Sequence, residues 1–432
     1  MTLVLLALLS LTIFLSFGGP LPFCFGLAMM VMHFCGDITM KGALMYGLQQ
    51  ISSPVLLSIP MFVFAGQLMG ESGIAKWLLD FVNIFVGRIK GGLGVVSVIT
   101  CAIIGAISGS ALTGVSAIGP IMIPRMIEEK YPRGFACALV SISSVLGLLI
   151  PPSISMLTYA WLTDNSVLAC FMSTVIPGIL ITILLSLVNM YVVKDHDLVL
   201  SKKITISEKL TQTRKIGFRA LPALMMPIII LGGIYGGIMT TTEAAGVAVV
   251  YAIPVGFCIY KGLNKGSYCE AAISSATTVG SIMLLIMLCM CLGQMFIMVG
   301  APQEITKAVL SISDSKVVIL LLINLIFIVM GMLVTDLVSI LLIVPLLLPL
   351  VTQIGVHPVQ FGAIAITNLA MGTVTPPYAT VFYLGLRMGK AKINEGLKPL
   401  LILIIFGYLP ILILTTYIPA LSLALPRMMG LL

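Results

Sequence analysis

Long apolar runs, separated by short polar stretches, follow one another along the whole chain. A membrane-spanning helix needs about 20 predominantly apolar residues, and one run after another reaches that length. The first 90 residues divide less clearly, because the apolar segments near 22–36 and 77–87 are short. We therefore predict an all-α polytopic membrane protein with about ten or eleven crossings, the clearest of which lie at about 135–162, 167–193, 221–239, 244–260, 271–299, 361–386 and 399–424.

Composition agrees with a membrane protein and excludes several other classes. With 59% hydrophobic and 9% charged residues and a mean hydropathy of +1.19, the chain cannot cover a water-soluble globule with polar surface. The net charge of +8 does not indicate nucleic-acid binding, because the Lys and Arg residues lie in short clusters between apolar runs. Nine cysteines, mostly within apolar runs, and three histidines predict buried free thiols rather than disulfides or a metal site.

Positive charges set the expected orientation. The stretch 194–220 carries seven Lys or Arg residues against three Asp or Glu residues, so we predict that it is cytoplasmic. The loops at 163–166, 240–243 and 352–360 are poor in positive charge and are predicted to lie outside. The first apolar run has neither a preceding basic region nor a small-residue cleavage signal, and we interpret it as a retained membrane helix.

Two Gly-x-x-x-Pro-Pro motifs recur at a constant separation. GLLIPP at 147–152 and GTVTPP at 372–377 are 225 positions apart. In each copy a small polar stretch, ISGSALTG at 107–114 or LVTDLVS at 333–339, precedes a helix with two prolines and then a helix broken at Pro-Pro. The same offset also superimposes Pro120 on Pro345 and Pro124 on Pro349. The matched order predicts an internal duplication.

Charges near the two polar stretches predict that the copies are inverted. Basic residues at 88–90 and 125–133 flank the first stretch, whereas loops that we place outside flank the second. Two re-entrant hairpins that open to opposite sides form an inverted repeat, typical of secondary transporters with a midplane site. We divide the chain into N-terminal helices, mainly scaffold (1–90), the first repeat core (91–193), a cytoplasmic basic loop (194–220), helices linking the repeats (221–300), the second repeat core (301–398) and a C-terminal helix (399–432).

The Pro-Pro breaks and the hairpin tips are the candidate binding site. A break frees backbone carbonyls, which a membrane tolerates only where they are buried in protein or face a watery cavity. Freed carbonyls and nearby hydroxyls suit a hard cation such as sodium, and half-helix N-termini suit an anion. The alternative, in which prolines only kink helices and hydroxyls bond helical carbonyls, explains two matched copies less well. The candidate residues for substrate or sodium are Ser108, Gly109, Ser110, Gly147, Pro151, Pro152, Ser153, Thr335, Asp336, Asn368, Gly372, Thr375, Pro376 and Pro377, with sodium near Ser108, Ser110, Thr335, Asp336 and Thr375.

Three of the polar residues have distinct expectations. Asp336 lies in an apolar setting, where an unpaired carboxylate is costly, so we predict an intramembrane role. Glu243 ends the sequence Thr-Thr-Thr-Glu before an apolar run, which is the pattern of a structural capping box. Asn368 lies on the helix that leads into the second break, where its amide either holds the broken backbone or contacts ligand.

Several segments together resemble one transporter family. ISGSALTGVSAIGPIMIP, SVLGLLIPPSISMLTY, LGGIYGGIMTTTEAAGVAVVYA, GMLVTDLVSILLIVPLLLP and FGAIAITNLAMGTVTPPYATVF are similar to signature segments of the large membrane subunit of tripartite ATP-independent periplasmic (TRAP) transporters. The resemblance extends from about residue 59 to the end. It implies a sodium-coupled elevator-type importer of organic acids in the bacterial inner membrane, with a small membrane subunit of four helices and a periplasmic substrate-binding protein as partners. The acids used by such transporters include sialic acid, C4-dicarboxylates, keto acids and sugar acids.

Enzyme signatures are absent from the sequence. It contains no Walker A motif, dinucleotide fingerprint or HExxH motif, which leaves an ion gradient as the expected energy source. We expect no cofactor, and the resemblance implies sodium as the coupling ion. Two alternatives stay open at this point. One is a stand-alone ion-coupled anion carrier that needs no binding protein, and the other is a membrane scaffold without transport.

Overall fold

The computed structural model describes residues 2–36, 38–87, 89–198 and 206–432, without the side chains of 206–215. All regular structure in these ranges is helical. Among the described residues, nine helical stretches are long and apolar enough to cross a membrane, and three shorter apolar helices accompany them, Thr2–Ser16, Leu21–Gly36 and Gly92–Ser108. The predicted ten or eleven crossings lie between the nine long stretches alone and the twelve helices obtained when the three shorter ones are included. The predicted all-α polytopic membrane fold is confirmed.

The N-terminal helices form part of the frame around the repeats. Helix α4 (Ser58–Glu71) packs along both α13 (Thr241–Pro254) and α14 (Lys265–Met298). Helix α5 (Ile74–Val86) packs between α6 (Gly92–Ser108) and α12 (Ile206–Tyr235). Asp80 of α5 forms an ion pair with Arg125 near the end of α7 (Ala111–Glu128), with the two charged atoms 3.4 Å apart. The helices in this region are α1 (Thr2–Ser16), α2 (Leu21–Gly36), α3 (Met40–Ile51), a 3-10 turn (Pro54–Leu57), α4 (Ser58–Glu71) and α5 (Ile74–Val86).

The first repeat contains a helical hairpin followed by a broken helix. A glycine in the left-handed region, Gly109 with φ of 63°, ends the first arm of the hairpin, and Ser110 begins the second. The buried side chains of α8 (Arg133–Ser144) pack against the hairpin and against the C-terminal part of the chain. The helices are α6 (Gly92–Ser108), α7 (Ala111–Glu128), α8 (Arg133–Ser144), α9 (Leu146–Leu149), α10 (Ile154–Leu162) and α11 (Val167–Val192).

Three long helices link the repeats. The first, α12 (Ile206–Tyr235), begins inside the basic stretch that the charges predict as a loop, while residues 199–205 of that stretch and residue 88 of the earlier basic loop lie outside the described residues. The others are α13 (Thr241–Pro254), continued by a π-helical turn at Val255–Ile259, and α14 (Lys265–Met298). The predicted capping box is confirmed, because the Thr240 amide donates to Glu243 Oε2 at 2.7 Å and the Glu243 amide donates to Thr240 Oγ1 at 3.2 Å.

The second repeat has the same order of elements. Its hairpin arms are α16 (Lys316–Leu333) and α17 (Asp336–Gln353), and its broken helix runs from α18 (Pro358–Gly372) into α19 (Thr380–Gly389). Helix α17 carries two internal prolines, as α7 does. The helices are α15 (Ala301–Ile312), α16 (Lys316–Leu333), α17 (Asp336–Gln353), α18 (Pro358–Gly372), α19 (Thr380–Gly389), α20 (Ile393–Ile402), a π-helical segment (Leu403–Tyr408), α21 (Leu409–Tyr417) and α22 (Pro419–Met428).

The two hairpins extend toward opposite ends of α14. The far end of α7 forms an ion pair with α5 through Arg125 and Asp80. Helix α5 follows α4, and α4 packs beside the N-terminal end of α14 through Phe64 and Tyr268, whose ring centroids are 6.0 Å apart. The far end of α17 instead lies with Gln294, near the C-terminus of α14, around a common cavity. The repeats therefore have opposite directions relative to this long helix, as an inverted arrangement requires.

Candidate functional site

The two hairpin tips meet around one central cavity of about 300 Å³, beside the two Pro-Pro breaks. Ser108, Gly109 and Ser110 reach it from the first hairpin, and Thr335 and Asp336 reach it from the second. Residues flanking the breaks, among them Ser155 and Thr373, complete this side of the wall. Helices α4 and α14 also line the cavity and contribute the polar side chains Gln67, Thr278 and Ser281.

A hydrogen bond joins the two repeats at the edge of the central cavity. Ser155 in the first turn of α10 donates its hydroxyl to Oδ2 of Asp336, the first residue of α17. Asp336 is the only charged side chain among the described residues that line the cavity. The costly intramembrane carboxylate therefore has a hydrogen-bond partner from the other repeat, as a buried charge requires.

Each Pro-Pro break separates two helices by a short nonhelical segment. The first runs from Ile150 to Ser153, contains a cis Pro151–Pro152 bond, and ends where Ser153 Oγ accepts a hydrogen bond from the Met156 amide at 3.3 Å. The second follows Gly372 and contains a cis Pro376–Pro377 bond. Proline has no amide hydrogen, so carbonyls of the preceding turn lose their helical donors in both copies.

Hydroxyls near the second break bond the backbone of their own helix. Thr375 Oγ1 donates to the Met371 carbonyl at 2.7 Å, and Thr373 Oγ1 donates to the Ala370 carbonyl at 2.8 Å. The Pro377 carbonyl accepts from the Tyr383 hydroxyl at 2.9 Å. These donations orient the hydroxyl oxygens while leaving lone pairs that can still accept or coordinate.

In both repeats a hairpin glycine crosses the glycine before the break, backbone against backbone. A Cβ atom on Gly147 would lie 2.9 Å from Gly105 Cα, and one on Gly372 would lie 2.6 Å from Gly331 Cα. No side chain fits at such a crossing. The sequence offset identifies Gly147 and Gly372 as partners in the duplication, but the hairpin glycines that they touch are found only in the structure.

The candidate residues divide into two groups. Five of them line the central cavity, namely Ser108, Gly109, Ser110, Thr335 and Asp336. The others lie behind it, in and around the breaks: Gly147, Pro151, Pro152, Ser153, Asn368, Gly372, Thr375, Pro376 and Pro377. Pro152 nevertheless supports the first tip, because a Cβ on Gly109 would lie 2.8 Å from the Pro152 carbonyl oxygen.

Some wall residues were not among the sequence candidates. Thr278 and Ser281 belong to the run SSATTVGS in α14, and the density of hydroxyls in a membrane-spanning helix was the available signal. Gln67 and Tyr378 also line the cavity, and a lone glutamine within the apolar helix α4 is a similar signal. Asn324 was missed as well, although its amide accepts a hydrogen bond from Asn368 Nδ2 at 2.8 Å.

A second cavity of about 240 Å³ lies at the C-terminal end of α14. Tyr46, Trp161, Gln294 and the two prolines of α17 contribute to its wall. Helix α14 thus borders both cavities, first with Thr278 to Leu285 and then with Met290 to Ile297.

Comparison with known proteins places the chain in one family. Residues 8–421 match the family described as "Tripartite ATP-independent periplasmic transporter, DctM component". The chain belongs to the DctM family. It is a multi-pass membrane protein of a transporter permease family, which is not a class of enzymes, and the family resemblance seen in the sequence is confirmed.

Relatives in the DctM family carry substrate names of their own. The chain is 35% identical over 380 residues to the C4-dicarboxylate TRAP transporter large permease protein DctM of Pseudomonas aeruginosa, covering 87% of each chain. It is 32% identical over 381 residues to the sialic acid TRAP transporter large permease protein SiaM of Vibrio cholerae, covering 88% of this chain and 87% of SiaM.

A longer relative and a more distant solved structure complete the comparison. The isethionate TRAP transporter permease protein DctMQ of Oleidesulfovibrio alaskensis is 33% identical over 409 residues, which are 94% of this chain and 64% of that protein. The YdaH transporter of Alcanivorax borkumensis, whose crystal structure has an unusual topology, superimposes with a TM-score of 0.58 at 17% identity, covering 91% of this chain and 88% of YdaH. The second likeness is one of fold alone.

Proposed function

We propose that this DctM-family subunit imports a small organic acid and that a sodium gradient drives the import. The observation that carries the proposal is the convergence of both hairpin tips on one cavity, whose wall offers hydroxyls and a single carboxylate. Hydroxyl, carbonyl and carboxylate oxygens are the ligands that hard cations prefer. We propose sodium near Ser108, Ser110, Thr335, Asp336 and Thr375, with Thr375 acting from behind the cavity wall.

Helix N-termini supply the proposed recognition of the acid. The cavity is lined by Ala111 at the start of α7 and by Ile154 at the start of α10, whereas the first amides of α17 are bonded to the Asp336 carboxylate. The unpaired amides of a helix N-terminus attract a carboxylate, so an anion can bind without a basic side chain in the wall. The relatives named for C4-dicarboxylates and sialic acid support an organic acid as substrate.

Alternating access is proposed to follow an elevator scheme. The Asp336–Ser155 hydrogen bond and the crossed glycine pairs tie the hairpins to the broken helices, which favours their moving as one body. In this scheme α14 and α4 belong to the fixed wall that the moving body passes. The tripartite family description supports a small membrane subunit and a periplasmic substrate-binding protein as partners, in a bacterial inner membrane.

A second candidate function is a stand-alone ion-coupled anion carrier. It would use the same cavity and the same ion-binding oxygens. The two candidates differ in one requirement, the soluble binding protein.

Transport into proteoliposomes separates the two candidates. The vesicles would contain the full chain and its small membrane partner, with the binding protein and labelled organic acids outside, and with or without an inward sodium gradient. Uptake that requires both sodium and the binding protein supports the tripartite importer. Uptake that persists without the binding protein supports the carrier, and the absence of any sodium dependence contradicts the coupling proposed here.

A further inference from the structure

A buried polar cluster lies behind the second break, and nothing in the transport proposal uses it. Asn324 of α16, Asn368 of α18 and Thr416 of α21 form this cluster, which we call the amide cluster. Asn368 and Thr416 are at most 1% exposed, and Asn324 is 8% exposed. Two amide side chains buried together in a membrane protein need a reason, because each must find partners away from water.

Hydrogen bonds in the amide cluster connect three helices. Asn368 Nδ2 donates to Asn324 Oδ1 and to the Ile364 carbonyl, each at 2.8 Å. Asn324 Nδ2 donates to Thr416 Oγ1 at 3.1 Å, and Thr416 Oγ1 bonds the Leu412 carbonyl at 2.9 Å. The hairpin arm α16 is therefore linked to the broken helix through Asn368 and to the C-terminal part of the chain through Thr416.

The amide cluster lies close to the glycine crossing of the second repeat. Asn368 precedes Gly372 by four residues and Asn324 precedes Gly331 by seven, which are about one and two helical turns. Gly331 and Gly372 touch backbone to backbone, as described above. Apolar surfaces alone allow two helices to slide past each other, whereas directed hydrogen bonds between buried side chains favour one register. Asn368 Oδ1 has no hydrogen-bond partner among the described residues, so the link depends on the donations of Asn368 Nδ2.

The first repeat has no such cluster at the corresponding positions. Four residues before Gly147 is Ser143, whose hydroxyl donates to the Leu139 carbonyl of its own helix at 2.6 Å. Seven residues before Gly105 is Val98, which is apolar and fully buried. The hairpin arm of the first repeat therefore lacks the amide link that its second counterpart has.

We propose that Asn324, held by Thr416, is a positioning residue for the second repeat: through Asn368 it fixes the crossing of Gly331 and Gly372 and so the geometry of the proposed sodium ligands near that break. The inference rests on the proposed function, since it assumes sodium binding there. Asn324 and Thr416 act through Asn368 and do not line the central cavity.

The chain offers a matched pair of threonines for the test. Thr415 and Thr416 are neighbours on α21, are at most 1% exposed, and both donate to the carbonyl four residues earlier. Only Thr416 also contacts Asn324 among their described hydrogen bonds. Replacement of either by Val keeps the side-chain shape and removes the hydroxyl, so the two variants differ chiefly in the link to Asn324.

Sodium itself is the probe. The melting temperature of the full chain in nanodiscs would be followed as sodium replaces potassium at constant ionic strength, because a ligand that binds only the folded state raises it. In Thr416→Val and Asn324→Leu we expect the half-saturating sodium concentration of this stabilisation to rise about tenfold, equivalent to about 1.4 kcal/mol. Thr415→Val should keep the wild-type value, and Thr416→Ser, which restores the hydroxyl, should recover it.

The outcomes separate the inference from its premise. If Thr416→Val and Asn324→Leu melt lower without sodium but keep the wild-type half-saturation, the cluster is only structural and the inference is wrong. An equal rise in the half-saturating sodium concentration in Thr415→Val and Thr416→Val would overturn the inference too. If the wild-type protein shows no stabilisation by sodium over potassium, the sodium coupling proposed above fails, and the inference fails with it.

Discussion

Gly105 and Gly147 cross with no room for a side chain between them, and Gly331 and Gly372 repeat this contact in the second half of the chain. Each crossing holds a hairpin arm against the helix that breaks at Pro-Pro. Close backbone contact through small residues is a common way to pack membrane helices, since burial of apolar surface drives little association in lipid. The duplicated crossing thus explains why each hairpin tip stays beside a break.

We predict that Gly147→Ala destabilises the protein and reduces transport. The added Cβ would lie 2.9 Å from Gly105 Cα and 3.1 Å from the Ser110 carbonyl oxygen, so the backbones must separate. Overpacking of this kind costs about 1–3 kcal/mol. Thermal melting and uptake would measure the two effects. Gly246→Ala is the control, because a Cβ there meets no atom within 4 Å, and equal effects of the two changes would contradict the crossing.

We predict that Asp336→Asn and Ser155→Ala each reduce sodium-dependent uptake and that their effects are not additive. The two side chains share one hydrogen bond between the repeats, so the second change removes little that the first has left. Uptake rates of the single and double variants form the test. Unchanged uptake in Asp336→Asn would exclude the intramembrane role of this carboxylate, and strictly additive losses would exclude a joint role with Ser155.

The capping box should matter for stability and not for transport chemistry. Loss of a helix cap costs about 1 kcal/mol, so Thr240→Ala is expected to lower the melting temperature slightly. Neither Thr240 nor Glu243, the two residues of the capping box, lines the central cavity. The sodium concentration for half-maximal uptake should therefore stay at the wild-type value. A shift in that concentration would indicate that the start of α13 influences the binding site.

His357 should make stability depend weakly on pH. Burial, and to a lesser extent the nearby Arg427, lower the pKa of His357 below its usual 6.5. The unfolded chain then binds more protons than the folded protein as the pH falls below that value, so stability decreases on acidification. His357→Asn, which keeps a side-chain acceptor for the Val359 amide, should reduce the fall in melting temperature between about pH 7.5 and 5.5. An identical fall in both proteins would contradict this.

The sequence predicts the order of helices, hairpins and breaks in this fold better than it predicts the contacts between them. Apolar runs and the offset between Gly147 and Gly372 were enough to predict crossings, hairpins and breaks, because these follow from local composition and proline chemistry. The start of α12 at Ile206 was not predicted, since the basic stretch carries both a topology signal and a helix. Charge clusters report the side of the membrane and not the local backbone conformation.

The candidate site was predictable only in part, for a similar reason. Hydroxyls and glycines at the hairpin tips stand out in an apolar sequence, and these residues do line the cavity. The partners that lie far away in sequence do not stand out: Ser155 with Asp336, or Asn324 with Thr416, come together only through packing. Single polar residues in apolar helices are visible in the sequence, but their pairing is a property of the folded chain.

Helix α14 makes the protein sensitive to the thickness of its bilayer. Its 34 residues span about 51 Å, whereas the hydrocarbon core is about 30 Å thick, so the helix must tilt or extend beyond the lipid. The two cavities border α14 at different heights. Thr278, the first α14 residue at the central cavity, and Met290, the first at the second cavity, are about 18 Å apart along the helix axis. A thinner bilayer that increases the tilt shortens the vertical distance between the cavities, so lipid composition sets their relative depth in the membrane.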